Sequence, residues 1–433
     1  MENNLLKKVA FYTLGCKVNQ YETDLMKCKF QNSGAQIVDF ESSADIYVIN
    51  SCSVTNLSTR KSRQYLNRAK KQGSIVVLVG CYAQEIKDNL DNINADIILG
   101  NEEKENIVDY VLEYIAKKEK IVKISEINEV NKFLQKSKLD IFHQVRESVK
   151  IEDGCNNFCS YCIIPYVRGR VRSRAIEDIE EEVENLVLKG VCEIVLVGIE
   201  IASYGLDIPN YSLIDVIDKV AKIDGVKRVR LGSIEPRILT DENIERMSKI
   251  PKLCPHFHLS VQSLDNEVLK NMNRKYDFLF LLERINKIKA KIKDCAFTCD
   301  IITAFPNESN TEFLNTLNRA KEIGFYEMHI FKYSKRKWTK AALMQNQIDG
   351  NIANSRSEML IKQAKEMKNN YLNKYLNRVV SVLFENFKAG FLYGYTRNYI
   401  KVKVRGDKKL WAKECEVELV SIENDYILGK LLN

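Results

Sequence analysis

Cys155-Asn156-Asn157-Phe158-Cys159-Ser160-Tyr161-Cys162, led in by Glu152-Asp153-Gly154, is the stretch on which both fold and chemistry turn. The three cysteines, spaced C-x3-C-x2-C, follow a short apolar-alternating run over residues 148–151, so they sit on a loop leaving a strand. Thiolates at this spacing can converge on one face of an iron–sulfur cluster. Most 4Fe–4S clusters take four cysteine thiolates. Three leave one iron without a protein ligand, and an open coordination position is what lets a metal bind a substrate or cofactor. A zinc knuckle is the competing reading. It needs a fourth ligand at a short offset, and the nearest candidates, His143 and Cys192, are awkwardly placed for it.

The length of 433 residues implies two to four domains. With 45% hydrophobic and 29% charged residues, the composition is that of a soluble globular protein rather than a disordered one. No apolar run approaches the roughly 18 residues of a membrane span, and the polar start Met1-Glu2-Asn3-Asn4 does not read as a secretory signal. Twelve cysteines in such a chain point to metal or redox chemistry rather than a disulfide framework, and to the cytoplasm. The net charge of +8 is uneven: residues 372–433 hold 11 Lys/Arg against 7 Asp/Glu, so half of it falls in this short C-terminal part. A basic terminal module is a footprint of nucleic-acid binding.

Outward from the cysteine loop, the N-terminal part alternates strands and helices, which argues for an open parallel α/β sheet. Strands are expected at residues 7–14, 45–50 and 74–79, each followed at once by a cysteine: Cys16, Cys52 and Cys81. Ligands collect at the C-terminal edge of such sheets, so these cysteines could meet there and hold a second cluster. Buried cysteines acting as small hydrophobes are the alternative. Residues 102–118 read as the last helix of this domain, and a charged linker follows, giving boundaries at 5–118 and 119–146.

Around residue 148 the pattern restarts, with strands expected at 148–152, 192–199, 228–234, 256–262, 297–304 and 327–333 and helices between them. Six βα units describe a partial (β/α)6 barrel, open on one side, over residues 147–370. Catalytic groups of such barrels lie at the C-terminal strand ends. Cys155, Glu200, Ser233, Glu235, Ser260, Gln262 and Phe305-Pro306-Asn307-Glu308 fall there. Arg168-Gly169-Arg170-Val171-Arg172-Ser173-Arg174 follows the cysteine loop. On an extended segment its alternate arginines would face one way, presenting guanidinium groups to phosphates or a carboxylate. Beyond a Lys-bearing helix, five short strands over residues 372–433 read as a small antiparallel β-barrel. Its interleaved aromatic and basic residues, among them Phe387, Phe391, Tyr393, Tyr395, Arg397, Tyr399 and Lys401, suit RNA, with about half of the aromatics expected in the barrel core.

Thr13-Leu14-Gly15-Cys16-Lys17-Val18-Asn19-Gln20-Tyr21-Glu22, Gly80-Cys81-Tyr82-Ala83-Gln84, residues 153–174 and Cys254-Pro255-His256-Phe257-His258-Leu259-Ser260-Val261-Gln262-Ser263 together resemble the radical S-adenosylmethionine (SAM) methylthiotransferases over nearly the whole chain. The continuation after Cys16 favours the branch that acts on N6-threonylcarbamoyladenosine in tRNA, over those acting on isopentenyladenosine or a ribosomal protein. The resemblance implies an N-terminal cluster domain, a radical-SAM core and a C-terminal TRAM domain. It implies two 4Fe–4S clusters, an auxiliary one on Cys16, Cys52 and Cys81 and a SAM-cleaving one on Cys155, Cys159 and Cys162. One SAM would supply the methyl group, and a second would yield the radical that takes hydrogen from C2 of the adenine. Gly198, Glu200, Ser233, Ser260, Gln262 and Arg174 are the expected SAM-binding residues. The implied partners are tRNA and an electron donor such as flavodoxin or ferredoxin, with no membrane and a monomeric chain. The sequence departs from the family pattern at Leu264, Ala304 and Asn307, where glycines are usual, and at residues 331–339, where Lys and Trp replace Pro and Gly. Side chains at such positions would reshape the SAM pocket.

Overall fold

The computed structural model describes residues 8–133, 135 and 145–432. Its first sheet contains β1 (Lys8–Thr13), β2 (Gln36–Val38), β3 (Ile46–Ser51), β4 (Ile75–Gly80), β5 (Ile97–Leu99) and β6 (Ile121–Lys123), in the order β2-β1-β3-β4-β5-β6. Every pairing in it is parallel. The unbroken apolar runs of β3 and β4 are buried on both faces, as a parallel sheet covered by helices on both sides requires. Three of these strands, β2, β5 and β6, are only three residues long and leave no readable periodicity. β6 lies within residues 119–146, expected to be a linker, so the sheet runs on beyond residue 118. Residues 134 and 136–144 of that stretch lie outside the described residues.

The second unit contains β7 (Arg146–Lys150), the short antiparallel pair β8 (Glu152–Asp153) and β9 (Arg172–Ser173), then β10 (Glu193–Val197), β11 (Arg228–Leu231), β12 (Ser233–Ile234), β13 (His256–Gln262), β14 (Ala296–Thr303) and β15 (Glu327–Lys332). Parallel pairing runs β7-β10-β11 and β12-β13-β14-β15. The sequence run expected as one strand over 228–234 is broken at Gly232, whose N–H still donates to Leu196 O at 2.8 Å. β7 and β15 do not pair, so the partial barrel is open on one side, as expected.

The first domain touches both free edges of that opening. From its helix Lys17–Asn32, Tyr21 and Leu25 share one apolar cluster with Val149 of β7. On the other edge Arg336, in the turn after β15, is buried against Glu85 (2.6 Å) and Asn56 (2.6 Å) of the first domain. The C-terminal strands β16 (Val379–Lys388), β17 (Phe391–Thr396), β18 (Lys401–Arg405), β19 (Glu414–Glu423) and β20 (Tyr426–Leu431) close into a barrel in the order β16-β17-β18-β20-β19. Closure leaves no free edge on so small a sheet. This barrel sits at the N-terminal ends of β7, β10 and β11. There Arg228 reaches Glu414 at 2.7 Å, and Arg230 pairs with Glu193 at 2.7 Å while donating to Arg397 O at 3.1 Å. Tyr399 and Tyr395 belong to this junction. Tyr399 stacks on His256 (4.6 Å) beneath Arg230, and Tyr395 lies under Arg146, so both are taken up by the domain contact.

Candidate active site

β1, β3 and β4 are neighbours in the first sheet, so the cysteines that follow them emerge side by side. At Gly15 (φ +101°) a Cβ would stand 2.9 Å from both Cβ and Sγ of Cys52, and that closeness brings Cys16 beside it. Cys52 and Cys81 are buried, whereas Cys16 is exposed, and all three are free thiols. Burial pushes Cys52 up to about 12, and the Cys81 and Cys16 sulfurs push the same way. Cys16 is raised by burial too, against the pull of Arg168. Binding a metal requires these sulfurs as thiolates, so a cluster held here would displace their protons.

The second triad is shaped by Gly154 (φ +80°), where a Cβ would fall 1.9 Å from Arg170 O. No other residue lets the chain enter the loop here. Cys155 N–H donates to Gly169 O (3.1 Å) and Cys162 N–H to Cys159 O (3.0 Å), which curls the loop around its own sulfurs. Asn157 N–H points at Cys155 Sγ (3.4 Å), and Arg274 donates to Cys159 Sγ (3.5 Å). Burial raises Cys162 to about 12 and Cys155 well above the usual thiol range.

The first triad lies against the segment that follows the second. Cys81 shares a small apolar cluster with Ile163 and Val167, directly after Cys162. Arg168, fully buried, donates through Nε to Cys81 Sγ (3.3 Å) and through its two terminal nitrogens to Glu22 (2.8 and 3.0 Å), Asp153 (3.0 Å) and Asn19 (2.6 Å). Lys104, Lys150 and Arg172 complete a buried ionic network with Glu22, Asp153 and Glu102. Burial alone would raise the Asp153 carboxyl, but Arg168, Lys150 and Arg172 outweigh it and hold it far below the ordinary range.

The arginine row therefore does not face a ligand. Arg168, Arg172 and Arg174 are all turned inward, Arg174 onto Glu182 and Tyr21, and only Arg170 is exposed. Arg168 ends the short helix Ile164–Arg168 instead of lying on an extended segment, so the expected single face of four arginines does not form, and the first domain supplies carboxylates that cover Arg168 and Arg172. Arg174 is engaged in this packing and not in a ligand site.

The remaining expected residues gather in the barrel beside the second triad. Glu152 accepts from Glu200 N–H at 2.8 Å, an approach possible because Gly198 has no Cβ: one there would lie 2.7 Å from the Glu152 carboxylate. Burial pushes Glu200 up to about 7, with Arg274 opposing and Glu235 reinforcing the rise. Arg274 also donates to Ser260 O (2.5 Å) and lies 3.8 Å from Glu235. Gln262 ends its strand at φ +71°. Deeper in the lumen, one ligand atom each from His258, Asp300 and His329 lie within 4.8 Å of one another. Glu308 is held elsewhere, accepting from Ala304 N–H and Arg356 at 2.7 Å each. Ala304 and Asn307 take φ +59° and +66°, the conformation glycine favours, whereas Leu264 is packed into the core.

Sequence reasoning missed Arg274, Glu22 and Asn19. No spacing marks Arg274; Glu22 and Asn19 stand in the Cys16 stretch, but their pairing spans about 150 residues of chain. The donor set fits two clusters with one open iron each, since each triad offers three thiols and N–H donors aimed at sulfur. It fits SAM as well: Ser233 Oγ and Glu152 Oε1 are buried without a hydrogen-bond partner among the described residues, next to the second triad.

Comparison with known proteins agrees with this geometry. Residues 149–320 match the radical SAM superfamily, and residues 8–100 match the family described as uncharacterized protein family UPF0004. The threonylcarbamoyladenosine tRNA methylthiotransferase MtaB of Bacillus subtilis (strain 168) is 38% identical over 98% of this chain and 96% of its own length. The enzyme of the same name from Aquifex aeolicus (strain VF5) is 36% identical over 93% of this chain and 98% of its own. The tRNA-2-methylthio-N(6)-dimethylallyladenosine synthase of Clostridium botulinum (strain Loch Maree / Type A3) is 32% identical over 99% and 97%. Among solved structures, the radical S-adenosylmethionine methyltransferase TsrM from Kitasatospora setae shares the fold, with a TM-score of 0.55 at 10% identity over 78% of this chain and 77% of its own. With relatives this similar along almost its full length, and with both cysteine triads in place, the chain belongs to the radical-SAM methylthiotransferases.

Proposed function

We propose that this enzyme installs a methylthio group at C2 of N6-threonylcarbamoyladenosine in tRNA, using SAM and two 4Fe–4S clusters held by the two cysteine triads. The observation that carries the reading is their adjacency: Cys81 packs on Ile163, and Arg168 ties the first triad to the loop of the second. When bound, the cluster on Cys155, Cys159 and Cys162 supplies the electron that cleaves SAM, which opens a C–H bond whose hydrogen no side-chain base could remove as a proton.

The protein's own work is positioning. Arg168 and Arg274 direct N–H groups at a sulfur of each triad, which tunes and orients a cluster held there. Ser233 and Glu152 offer the unpartnered polar atoms for SAM, with Glu200 alongside; the expectations for Gly198 and Arg174 become packing roles. The first domain covers the open side of the barrel and shields a reactive radical from water. The C-terminal barrel, with Lys403 over Phe391 at 4.4 Å and Tyr393 beside Tyr426, provides a cationic and aromatic face for RNA. A small redox protein of the flavodoxin or ferredoxin type would deliver the electrons. Among the described residues no helix is long and apolar enough to cross a membrane.

Mass spectrometry of nucleosides from total tRNA, with and without the gene, tests the reading. The methylthio derivative of threonylcarbamoyladenosine should vanish and its parent rise. If that nucleoside is unchanged while the dimethylallyl counterpart falls, the substrate is the one named for the Clostridium botulinum relative.

A further inference from the structure

A ladder of aromatic rings and cations lies on the surface beside the second triad. Arg170 stands over Phe158 (4.5 Å), Phe158 meets Tyr166 edge-on (5.9 Å), Tyr166 meets Trp338 (6.3 Å), and Lys337 stands over Trp338 (4.9 Å). Tyr166 is 36% and Trp338 38% exposed, so both aromatic side chains reach solvent.

Two of these rings are held against backbone preference. Phe158 has φ +46° and Trp338 φ +68°, the left-handed region that bulky residues avoid. Such strain persists only where the surroundings impose it, and it concentrates at ligand clamps. Here the surroundings are visible. Asn273 donates to Phe158 O (3.1 Å), next to Cys159. The turn bearing Trp338 is pinned by Thr339 Oγ1 donating to Arg336 O (2.7 Å), and by the buried Arg336–Glu85 pair across the domain contact. Among the described residues Trp338 belongs to none of the buried apolar clusters. The two ends of the ladder come from the cluster loop and from the turn after β15, so it frames the mouth of the site.

We infer that this ladder is a docking platform for unpaired nucleobases of an RNA loop, seating the nucleotides that flank the target adenosine outside the barrel. Exposed rings offer sequence-tolerant stacking, and Arg170 and Lys337 offer cations for the accompanying phosphates. The inference rests on the tRNA reading above. Exposed rings with Arg170 and Lys337 standing over the two ends of the ladder suit an anionic, base-bearing chain better than a polypeptide.

The test uses the cluster-loaded protein and a fluorescently labelled, unmodified anticodon stem-loop RNA, with binding read by anisotropy over a salt series. Trp338→Asn removes the ring while tolerating the left-handed backbone, so melting should stay at or above the wild-type temperature. Affinity should fall roughly 5- to 150-fold, the loss of one stacked base, with the salt slope unchanged. Trp338→Phe should restore most of the affinity. Lys337→Gln should instead lower the salt slope by about 0.7, one phosphate contact. If the wild type binds the stem-loop and Trp338→Asn binds it equally well, the platform is wrong and the tRNA reading stands. If Trp338→Asn lowers the melting temperature, the ring is a structural prop and the inference falls. If the wild type does not bind the stem-loop, both fall together.

Discussion

Replacing Arg168 by Met keeps the aliphatic stem and the packing on Cys81 while deleting the guanidinium. The network then holds Lys104, Lys150 and Arg172 against Glu22, Asp153 and Glu102, so formal charge is balanced without Arg168. Both carboxylates nearest the deletion keep a partner: Lys150 lies 2.8 Å from Glu22 and 2.6 Å from Asp153. What is lost is the pair of hydrogen bonds to Glu22, those to Asp153, the donor to Asn19 Oδ1 at 2.6 Å and the Nε–H aimed at Cys81 Sγ. An orphaned buried acceptor such as Asn19 costs about 1–3 kcal/mol. Breaking a buried ion pair by removing one partner costs about 3–5 kcal/mol. Because the residual charges balance, we expect the lower end, about 3 kcal/mol.

At about 2–4 °C per kcal/mol for units of 150–250 residues, the transition that separates the first domain from the barrel should fall by roughly 6–12 °C, read by calorimetry. Glu22→Gln should cost less in the Arg168→Met chain than in the wild type, since residues in one network couple by about 0.5–3 kcal/mol. Melting within about 2 °C of wild type would refute the reasoning, because it would mean that Arg168 does not hold the domains together. Strict additivity of the two substitutions would refute the coupling.

The other expectations are simpler. Glu22 and Asp153 are held below their unfolded values, because the surrounding cations outweigh the opposing effect of burial; their contribution is complete above about pH 4.5 and is lost as pH falls through the folded values, so the same transition should weaken between about pH 4.5 and pH 3 at fixed salt. Gly154→Ala forces a Cβ to 1.9 Å from Arg170 O, so iron in the second triad should drop to a small fraction of wild type while the first triad keeps its own, checked by iron analysis and EPR. Cys16→Ala with Cys52→Ala and Cys81→Ala should halve the iron and sulfide content, from about eight irons per chain to about four. Arg274→Met removes the N–H aimed at Cys159 Sγ and should move the midpoint potential of the second triad's cluster to more negative values in a redox titration, with iron content unchanged.

Much of this site was legible because it depends on spacing and on strand ends. The C-x3-C-x2-C loop and the three cysteines after β1, β3 and β4 are local signals, and a parallel sheet converts "after a strand" into "at one edge" without further information. The short strands β2, β5 and β6 were not legible, since three residues cannot display a period. The departures from glycine were legible as departures but not in their effect. Ala304 and Asn307 do take the left-handed backbone that makes glycine usual there, while Leu264 points into the core.

The arginine row marks where local reading stops. Alternation predicts that all four arginines share a face, but Arg168 ends the helix Ile164–Arg168, the chain turns at Gly169, and Arg170 is exposed while Arg172 and Arg174 are buried. Glu22, Asn19 and Glu102 come from the other domain, and they turn a would-be ligand clamp into a joint. That joint has a consequence for chemistry. Glu22 and Asn19 stand on the helix whose first residue follows Cys16, and Asp153 stands two residues before Cys155. Arg168 therefore grips the supports of both triads at once and touches Cys81 directly. A shift of the first domain over the barrel would break these contacts. Carbon–sulfur transfer requires reacting atoms from the two halves to meet within contact distance, and a buried, multiply bonded guanidinium is a stiffer way to fix that distance than a flexible linker.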